Sequence, residues 1–159
     1  MSMDLFSKTL LLIASMSLAF SCFAQSQQVN ELKALIEDKG CIDNNILTEI
    51  CKSGRSFIES HDDYNALNGA KVCLRFAAKT YSKSQKRLTG RFLGRSGAWA
   101  EEIFVDVILN KAVVPSGIQK GSGVFVSGNL LPDGNGFYGN AIDNCFIMFN
   151  AKTVEADGF

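Results

Sequence analysis

The first half of the chain has its apolar residues at the three- and four-residue spacing of amphipathic helices. This pattern predicts three short helices between residues 28 and 81. Gly40 would end the first helix, and Asp43 or Asn44 would cap the start of the second. The apolar positions of the three helices, in order, are Val29, Leu32, Leu35 and Ile36; Ile46, Leu47, Ile50, Cys51, Phe57 and Ile58; and Leu67, Ala70, Leu74, Ala77 and Tyr81.

The second half of the chain alternates apolar and polar residues and is rich in glycine, a pattern typical of strands and turns. Eleven of the 14 glycines lie at or after Gly90. A strong turn signal, Pro-Asp-Gly-Asn-Gly, occurs at 132–136. The predicted strands are 87–93, 99–109, 112–114, 124–130, 137–138 and 141–149.

The order of these elements resembles the OB-fold, a five-stranded Greek-key barrel. The segment from Ile118 to Leu130 is similar to the basic-glycine turn, alternating valines and Gly-x-Leu sequence that often introduce the fourth strand of such barrels. The resemblance implies an α+β fold in which short N-terminal helices pack against a five-stranded OB-like β-barrel. Little sequence separates the third strand from the fourth, so we expect the usual connecting helix to be absent or one turn long. The implied barrel strands are 87–93, 102–109, 113–116, 124–130 and 143–149.

The N-terminal segment has the features of a secretory signal peptide. A positive charge precedes an apolar run of eleven residues, 10–20, which is too short to span a bilayer as a helix. Small residues at Cys22 and Ala24 predict cleavage before Gln25. An alternative interpretation is lipoprotein processing at Cys22, for which the bulky Phe20 is a poor fit. We expect an exported protein, periplasmic or secreted, with no transmembrane segment in the mature chain.

The predicted domain organisation follows from these patterns. Removal of 24 residues from 159 leaves 135, enough for one domain with its own core. The predicted segments are a signal peptide at 1–24, a helical N-terminal region at 25–84, an OB-like barrel at 85–152 and a C-terminal tail at 153–159.

The chain has five cysteines, and removal of Cys22 leaves four. An even number in an exported protein predicts two disulfides among Cys41, Cys51, Cys73 and Cys145. Three pairings are open, and our preference is Cys41–Cys51 with Cys73–Cys145. The sequence has no Cys-x-x-Cys pair and a single histidine, so we predict neither a metal site nor another cofactor.

The formal net charge of zero is the sum of three charged blocks. Residues 25–70 hold four basic and eight acidic side chains, a net charge of −4. Residues 71–96 hold eight basic side chains and no acid, a net charge of +8, and residues 97–159 hold three basic and seven acidic ones, a net charge of −4. The overall balance argues against a general polyanion binder, because affinity for a phosphate backbone grows with the number of cationic contacts.

The basic block predicts a strip that docks an anionic ligand or partner. A helix would place lysines and arginines that are four residues apart along one face. In the competing interpretation the acidic first two helices neutralise the strip, or water simply solvates it. Export disfavours nucleic acid as the ligand. The candidate ligand-binding residues are Lys71, Arg75, Lys79, Lys83, Arg87, Arg91 and Arg95, with Tyr81, Phe92 and Trp99 as stacking surfaces.

Catalytic groupings are sparse in this sequence. A His-Asp-Asp sequence at 61–63 has acid-base potential, and Glu101, Glu102 and Asp106 could supply a carboxylate pair. The sequence contains no nucleophile elbow, metalloprotease helix or phosphate-binding loop. We therefore do not predict an enzyme.

The function that we expect is that of an exported, disulfide-stabilised, non-catalytic binding module. The preferred partner is a periplasmic protein, as for an immunity or inhibitor protein or an accessory subunit of an envelope assembly. Phe92, Phe104, Phe125 and Tyr138 are candidate interface anchors, with a role in the core as the competing interpretation. The alternative is an OB-type binder of an oligosaccharide, a lipid headgroup or a nucleic acid through the basic strip 71–95.

Overall fold

The computed structural model describes residues 27, 30–52, 67, 69–131, 137–139 and 145–158, the side chains of 137–139 excepted. The predicted signal peptide, the sequence at 61–63 and the helix residues Phe57 and Ile58 lie outside the described residues. The chain divides into two compact units, Met1–Ala34 and Leu35–Phe159. The described residues of the first unit, 27 and 30–34, are helical. All the strands belong to the second unit.

Within the described residues, two short helices precede the strands. Residues 30–39 form helix α1, after which Gly40 has a φ of 77° and donates its N–H back to the last turn at 2.8 Å. Helix α2 spans Asn44–Lys52. Asp43 is its N-cap, because the Asp43 carboxylate accepts the N–H of Ile46 at 2.9 Å. The predicted end of the first helix and start of the second are confirmed.

The third predicted helix is wrong, because strand β1 occupies Lys71–Ser82. Buried and exposed side chains alternate along it, with Val72, Leu74 and Phe76 inside. The predicted helical face stepped from Leu74 to Ala77 and left out Val72 and Phe76. Val72 is β-branched and Phe76 is aromatic, and both lie among the buried residues that alternate along this segment. Such residues at every second position favour a strand over a helix.

The parallel pairing of β3 with β6 closes the strands into a barrel. The sheet order is β3-β2-β1-β4-β6-β5, and every other pairing is antiparallel. Five strands therefore form a closed ring, and the short β5 pairs with β6 outside it. This is an OB-like Greek-key barrel, so the predicted fold class is confirmed. The remaining strands are β2 (Arg87–Ser96), β3 (Trp99–Ile108), β4 (Gly123–Leu130), β5 (Phe137–Gly139) and β6 (Cys145–Ala156).

The strands that build the barrel differ from those predicted. Its first strand is β1, which lies within the predicted helical region 25–84, and β6 runs to Ala156 through the predicted tail. The predicted third strand at 113–116 is wrong, because residues 109–122 connect β3 to β4 with neither strand nor helix. Pro115 has no N–H for a ladder, and Val113 is 84% exposed.

The barrel interior is filled with apolar side chains, and α2 packs against β2 beside it. Gly94 has no side chain at this contact, so Thr48 of α2 and Ile103 of β3 approach its backbone closely. The apolar face of α2 is buried as well, at Ile46, Leu47 and Ile50. Interior barrel residues that are 1% exposed or less include Leu74, Phe76, Leu88, Val105, Val107, Val124, Val126, Ile147 and Phe149.

Two disulfides join the segment around α2 to the barrel. Cys41 is bonded to Cys73 with a Cα–Cα distance of 5.9 Å, and Cys51 to Cys145 with 5.6 Å. The expected two disulfides are present, but the preferred pairing of Cys41 with Cys51 is wrong. Roughly 10 Å of helix lies between the start of α2 and Cys51, which exceeds the reach of a disulfide.

The two disulfides should differ in their contribution to stability. They span 94 residues for Cys51–Cys145 and 32 for Cys41–Cys73, and loop-closure entropy then gives about 4.7 and about 3.7 kcal/mol. Urea unfolding measures this difference, with Cys51→Ala/Cys145→Ala and Cys41→Ala/Cys73→Ala each compared with the oxidised parent.

Peptide mapping without reduction tests the pairing itself. It should recover both pairings, and a Cys41–Cys51 peptide would contradict the structure.

Gly128 lies where β4 and β6 come closest, at a register shift between Ser127 and Gly128. A Cβ at this position would overlap the carbonyl oxygen of Asn150. Because backbone must move, we expect Gly128→Ala to lower the free energy of unfolding by about 3 kcal/mol or more. Gly158→Ala is the matched control, since its Cβ would meet open space, and should change the free energy by less than about 0.5 kcal/mol. Equal urea midpoints for the two variants would refute this close approach.

Candidate functional site: two cationic grooves

The predicted basic strip does not form one site. A strand repeats every two residues, so a spacing of four still places Lys71 and Arg75 on one outward face of β1. Lys79 lies at the register shift between Ala78 and Thr80. The members of the strip are thus spread along β1, β2 and the turn between them. Arg75, Arg91 and Arg95 line one groove and Lys83 lines a second, while Lys71, Lys79 and Arg87 line neither.

The first groove, which we call the arginine groove, has a volume of about 840 Å³ and holds three arginines of the strip. Arg75 comes from β1, and Arg91 and Arg95 come from β2. The groove opens because β1 pairs with β2 only from Ala77 onward, so the first half of β1 and the second half of β2 separate. Its other lining residues are Asp43, Asn44, Asn45 and Thr48 around the start of α2, Cys73, Phe76 and Ala77 of β1, Phe92 and Leu93 of β2, and Phe125 of β4.

The β1 wall of the arginine groove is held by the residues that precede α2. Ile42 donates its N–H to the carbonyl of Lys71 at 2.7 Å and accepts the N–H of Cys73 at 3.0 Å. The Asn44 side chain continues this pattern, donating to the carbonyl of Arg75 at 2.8 Å and accepting the N–H of Arg75 at 2.9 Å. An amide side chain therefore replaces a neighbouring strand residue and completes the hydrogen bonding of this edge.

Acidic residues accompany two of the three arginines. Arg75 Nε lies 3.2 Å from Asp157 Oδ2, and Arg91 Nη1 lies 2.9 Å from Glu102 Oε1. The side chains of Arg75 and Arg91 nevertheless remain 64% and 53% exposed. Arg95 is exposed and has no ion pair within the described part of the chain. The groove therefore presents three exposed arginines to solvent, two of them ion-paired, and Asp43 is the acidic residue in its lining.

Apolar side chains share the groove with the arginines. Leu93 is 50% exposed on the outward face of β2, while Phe92 and Phe125 are half-buried. The Arg75 guanidinium lies 5.3 Å from the centroid of the Phe125 ring, a cation–π contact. Leu93 was not among the predicted site residues, although the alternation of outward arginines on β2 places it on their face.

Arg87 of the predicted strip is committed to an ion pair. Its Nε and Nη2 donate to Asp106 Oδ1 and Oδ2 at 2.9 and 2.5 Å, and the Asp106 side chain is only 13% exposed. The hydrogen bond to Asp106, assisted by its charge and opposed by burial, raises the pKa of the Arg87 guanidinium. Asp106 and Glu102, two members of the predicted carboxylate pair, thus both contact arginines. The ion pairs of the strip within the described residues go to these two carboxylates and Asp157 rather than to the helices.

The second groove, which we call the lysine groove, lies at the other end of β1 and has a volume of about 610 Å³. Tyr81 lines it from the end of β1, Lys83 and Lys86 line it from the β1–β2 turn, and residues 109–118 line it from the connection after β3. Two predicted site residues, Tyr81 and Lys83, therefore lie here. Tyr81 is 41% exposed.

The remaining predicted aromatic residues lie elsewhere on the barrel. Trp99 is half-buried at the start of β3, opposite Ser96, and lines neither groove. Phe104 faces outward from β3, and its ring stacks on that of Phe146 with centroids 5.5 Å apart. Only the backbone of Tyr138 is described. Phe92 and Phe125 are thus the predicted anchors that contribute to a groove.

The residues that the structure describes contain no group of three or more His, Cys, Asp or Glu side chains that could hold a metal ion. No helix within the described ranges is long and apolar enough to cross a membrane.

Comparison with known proteins adds little beyond the fold. No family model and no curated protein matches the sequence. Among solved structures, the telomere capping protein Ten1 of S. pombe is 14% identical over 60% of this chain and 74% of its own, with a TM-score of 0.35. The S. pombe Stn1–Ten1 complex matches at 15% identity, 60% and 70% coverage and a TM-score of 0.34. The S. cerevisiae mitochondrial single-stranded DNA binding protein Rim1 matches at 11% identity, 56% and 95% coverage and a TM-score of 0.33. Similarity at this level assigns neither a ligand nor a partner to this chain.

The Arg87–Asp106 pair should contribute more to stability than the Arg91–Glu102 pair. We expect Asp106→Asn to lower the free energy of unfolding by about 1 to 2 kcal/mol, since it removes the charge from a two-point contact. Glu102→Gln is the matched control, because both side chains of its pair are 43% exposed or more, and it should cost less than about 0.5 kcal/mol. Denaturant unfolding at neutral pH and low salt measures both. A greater loss for Glu102→Gln would contradict this ranking.

Proposed function

We propose that the chain is an exported, disulfide-stabilised binding module that engages a protein partner through the arginine groove. The observation that carries the proposal is the convergence of Arg75, Arg91 and Arg95 around the exposed Leu93 and the half-buried ring of Phe125. The module acts by binding and carries out no chemistry on its partner.

The residue types in the groove favour a protein over other ligands. Arginine and aromatic side chains are enriched at protein interfaces, whereas lysine is depleted there. All the cationic residues in the lining are arginines. Their planar guanidinium groups suit carboxylates, and Leu93 with Phe125 can receive an apolar side chain next to them. The matching partner surface carries Asp or Glu around an apolar residue.

The frame of the groove supports tight binding because it is assembled before the partner arrives. The Cys41–Cys73 disulfide and the two hydrogen bonds between Asn44 and Arg75 fix the β1 wall to the start of α2. A pre-organised site loses less conformational entropy on binding than one that must first become ordered.

The cellular setting of the proposal rests on the sequence. The signal-like segment at 1–24 and the pairing of four cysteines are both typical of an oxidising compartment outside the cytoplasm. In that compartment the module belongs to the immunity or inhibitor type, or serves as an accessory subunit of an envelope assembly.

Affinity capture with groove variants tests the proposal. The mature chain, beginning at Gln25, is immobilised and exposed to periplasmic extract beside Leu93→Asp and Arg95→Glu. We expect each variant to capture at least about ten-fold less partner. Each substitution removes a residue from the core of the interface and should weaken the binding free energy by more than about 1.4 kcal/mol.

Lys152→Glu is the matched control, since Lys152 is exposed on β6 and lines neither groove. It makes the same charge change as an arginine-to-glutamate variant and should leave capture unchanged. Thermal unfolding of each variant verifies that it is folded. Capture of the same proteins by the parent, by Leu93→Asp and by Arg95→Glu would overturn the proposal.

A further inference from the structure

Two stretches of chain without acidic residues meet at one end of the barrel. Residues 64–100 and 107–132 contain no Asp or Glu. The first supplies the β1–β2 turn, and the second supplies the connection that follows β3. The lysine groove forms where they meet, so the charged residues in its lining are Lys83, Lys86 and Lys111 alone.

Backbone hydrogen bonds anchor this connection against β1 and the turn. The N–H of Leu109 donates to the carbonyl of Lys86 at 2.8 Å. At the other end of the connection, Gly121 donates to the carbonyl of Ala78, and Ala78 donates to the carbonyl of Ser122, both at 2.8 Å. The lysines and the apolar residues between them are therefore presented on a backbone that is fixed at both ends.

Exposed apolar side chains lie among the lysines. Val113 is 84% exposed and Tyr81 is 41% exposed, and both line the lysine groove. An exposed valine contributes nothing to the barrel core, and a soluble anion would gain little from it. A lipid surface gains from all three residue types, because lysines approach the phosphates, tyrosine favours the headgroup level and valine enters the apolar boundary.

Lys86 adds a charge at a position that favours glycine. Its φ is 51°, and within the described ranges Lys86 is the one residue other than glycine with a positive φ. A side chain is strained in this left-handed conformation, and glycine would relieve the strain. The substitution Lys86→Gly therefore removes a charge from the groove without endangering the fold.

From these observations we propose that the lysine groove docks the protein on a bilayer that contains anionic phospholipid. Lys83, Lys86 and Lys111 contact the headgroup phosphates, while Val113 enters the boundary between headgroups and acyl chains. This activity is separate from the arginine groove and does not depend on the proposed partner.

Vesicle sedimentation tests this proposal. The mature chain is mixed with vesicles of phosphatidylcholine alone or of phosphatidylcholine with phosphatidylglycerol, at low and moderate salt. We expect binding to the anionic vesicles only, and this binding should weaken as salt rises.

Variants of the groove test which residues contact the vesicle. Lys83→Gln/Lys111→Gln should lower the partition coefficient about twenty-fold or more. Lys86→Gly should lower it about five-fold, with an unchanged or higher melting temperature. Val113→Asn should lower it several-fold without changing the charge.

Two matched variants separate this site from general charge and from the arginine groove. Lys71→Gln/Lys152→Gln removes two exposed lysines that line neither groove and should change partition by less than about two-fold. Arg95→Glu should retain vesicle binding even where it abolishes partner capture. Three results would each overturn the proposal. The first is equal binding to neutral and anionic vesicles, and the second is an equal loss of binding in the Lys71/Lys152 variant. The third is soluble polyphosphate that competes fully with the vesicles and whose own binding is unaffected by Val113→Asn.

Discussion

The barrel closes through the parallel pairing of β3 with β6, and both grooves depend on how the sheet curls to reach that closure. Residues 103–108 pair with 145–150, which brings the last strand beside the third. In the closed sheet β1 pairs with β4 along its first half and with β2 along its second half. The first half of β1 and the second half of β2 must then separate, and the arginine groove occupies the gap between them.

The residues around α2 compensate for that gap. Ile42 and Asn44 supply the hydrogen bonds that a neighbouring strand would otherwise give to β1. The two disulfides fasten both sides of α2, with Cys41 bonded to β1 and Cys51 bonded to Cys145, the first residue of the closing strand. The covalent links therefore act on the β1 wall of the arginine groove and on the strand that closes the barrel.

The sequence predicts the fold class because alternation is clear at 103–109 and again at 124–130, where apolar and polar positions follow one another along β3 and β4. Strand β1 escapes prediction because alanines and charges spaced by four fit a helix and a strand equally well. The disulfide pairing depends on tertiary contacts between α2 and the strands, which no local pattern records. Leu93 could have been found from the alternation of β2, whereas the meeting of two acid-free segments becomes visible only once the strands are placed.

The two grooves use different cations, and this difference suits different tasks. Arg75 and Arg91 each have an acidic neighbour already, so a partner must offer carboxylates in a better geometry to compete with Asp157 and Glu102. A partner whose carboxylates match the positions of the arginines then binds more tightly than one whose carboxylates do not, which makes the groove selective. The lysine groove has no acid in its lining, so its charge responds to the potential of a whole surface rather than to one group. Along β1, Arg75 of the arginine groove and Tyr81 of the lysine groove are six residues apart, a distance of about 20 Å. A bilayer against the lysine groove would therefore leave the arginine groove open to a protein.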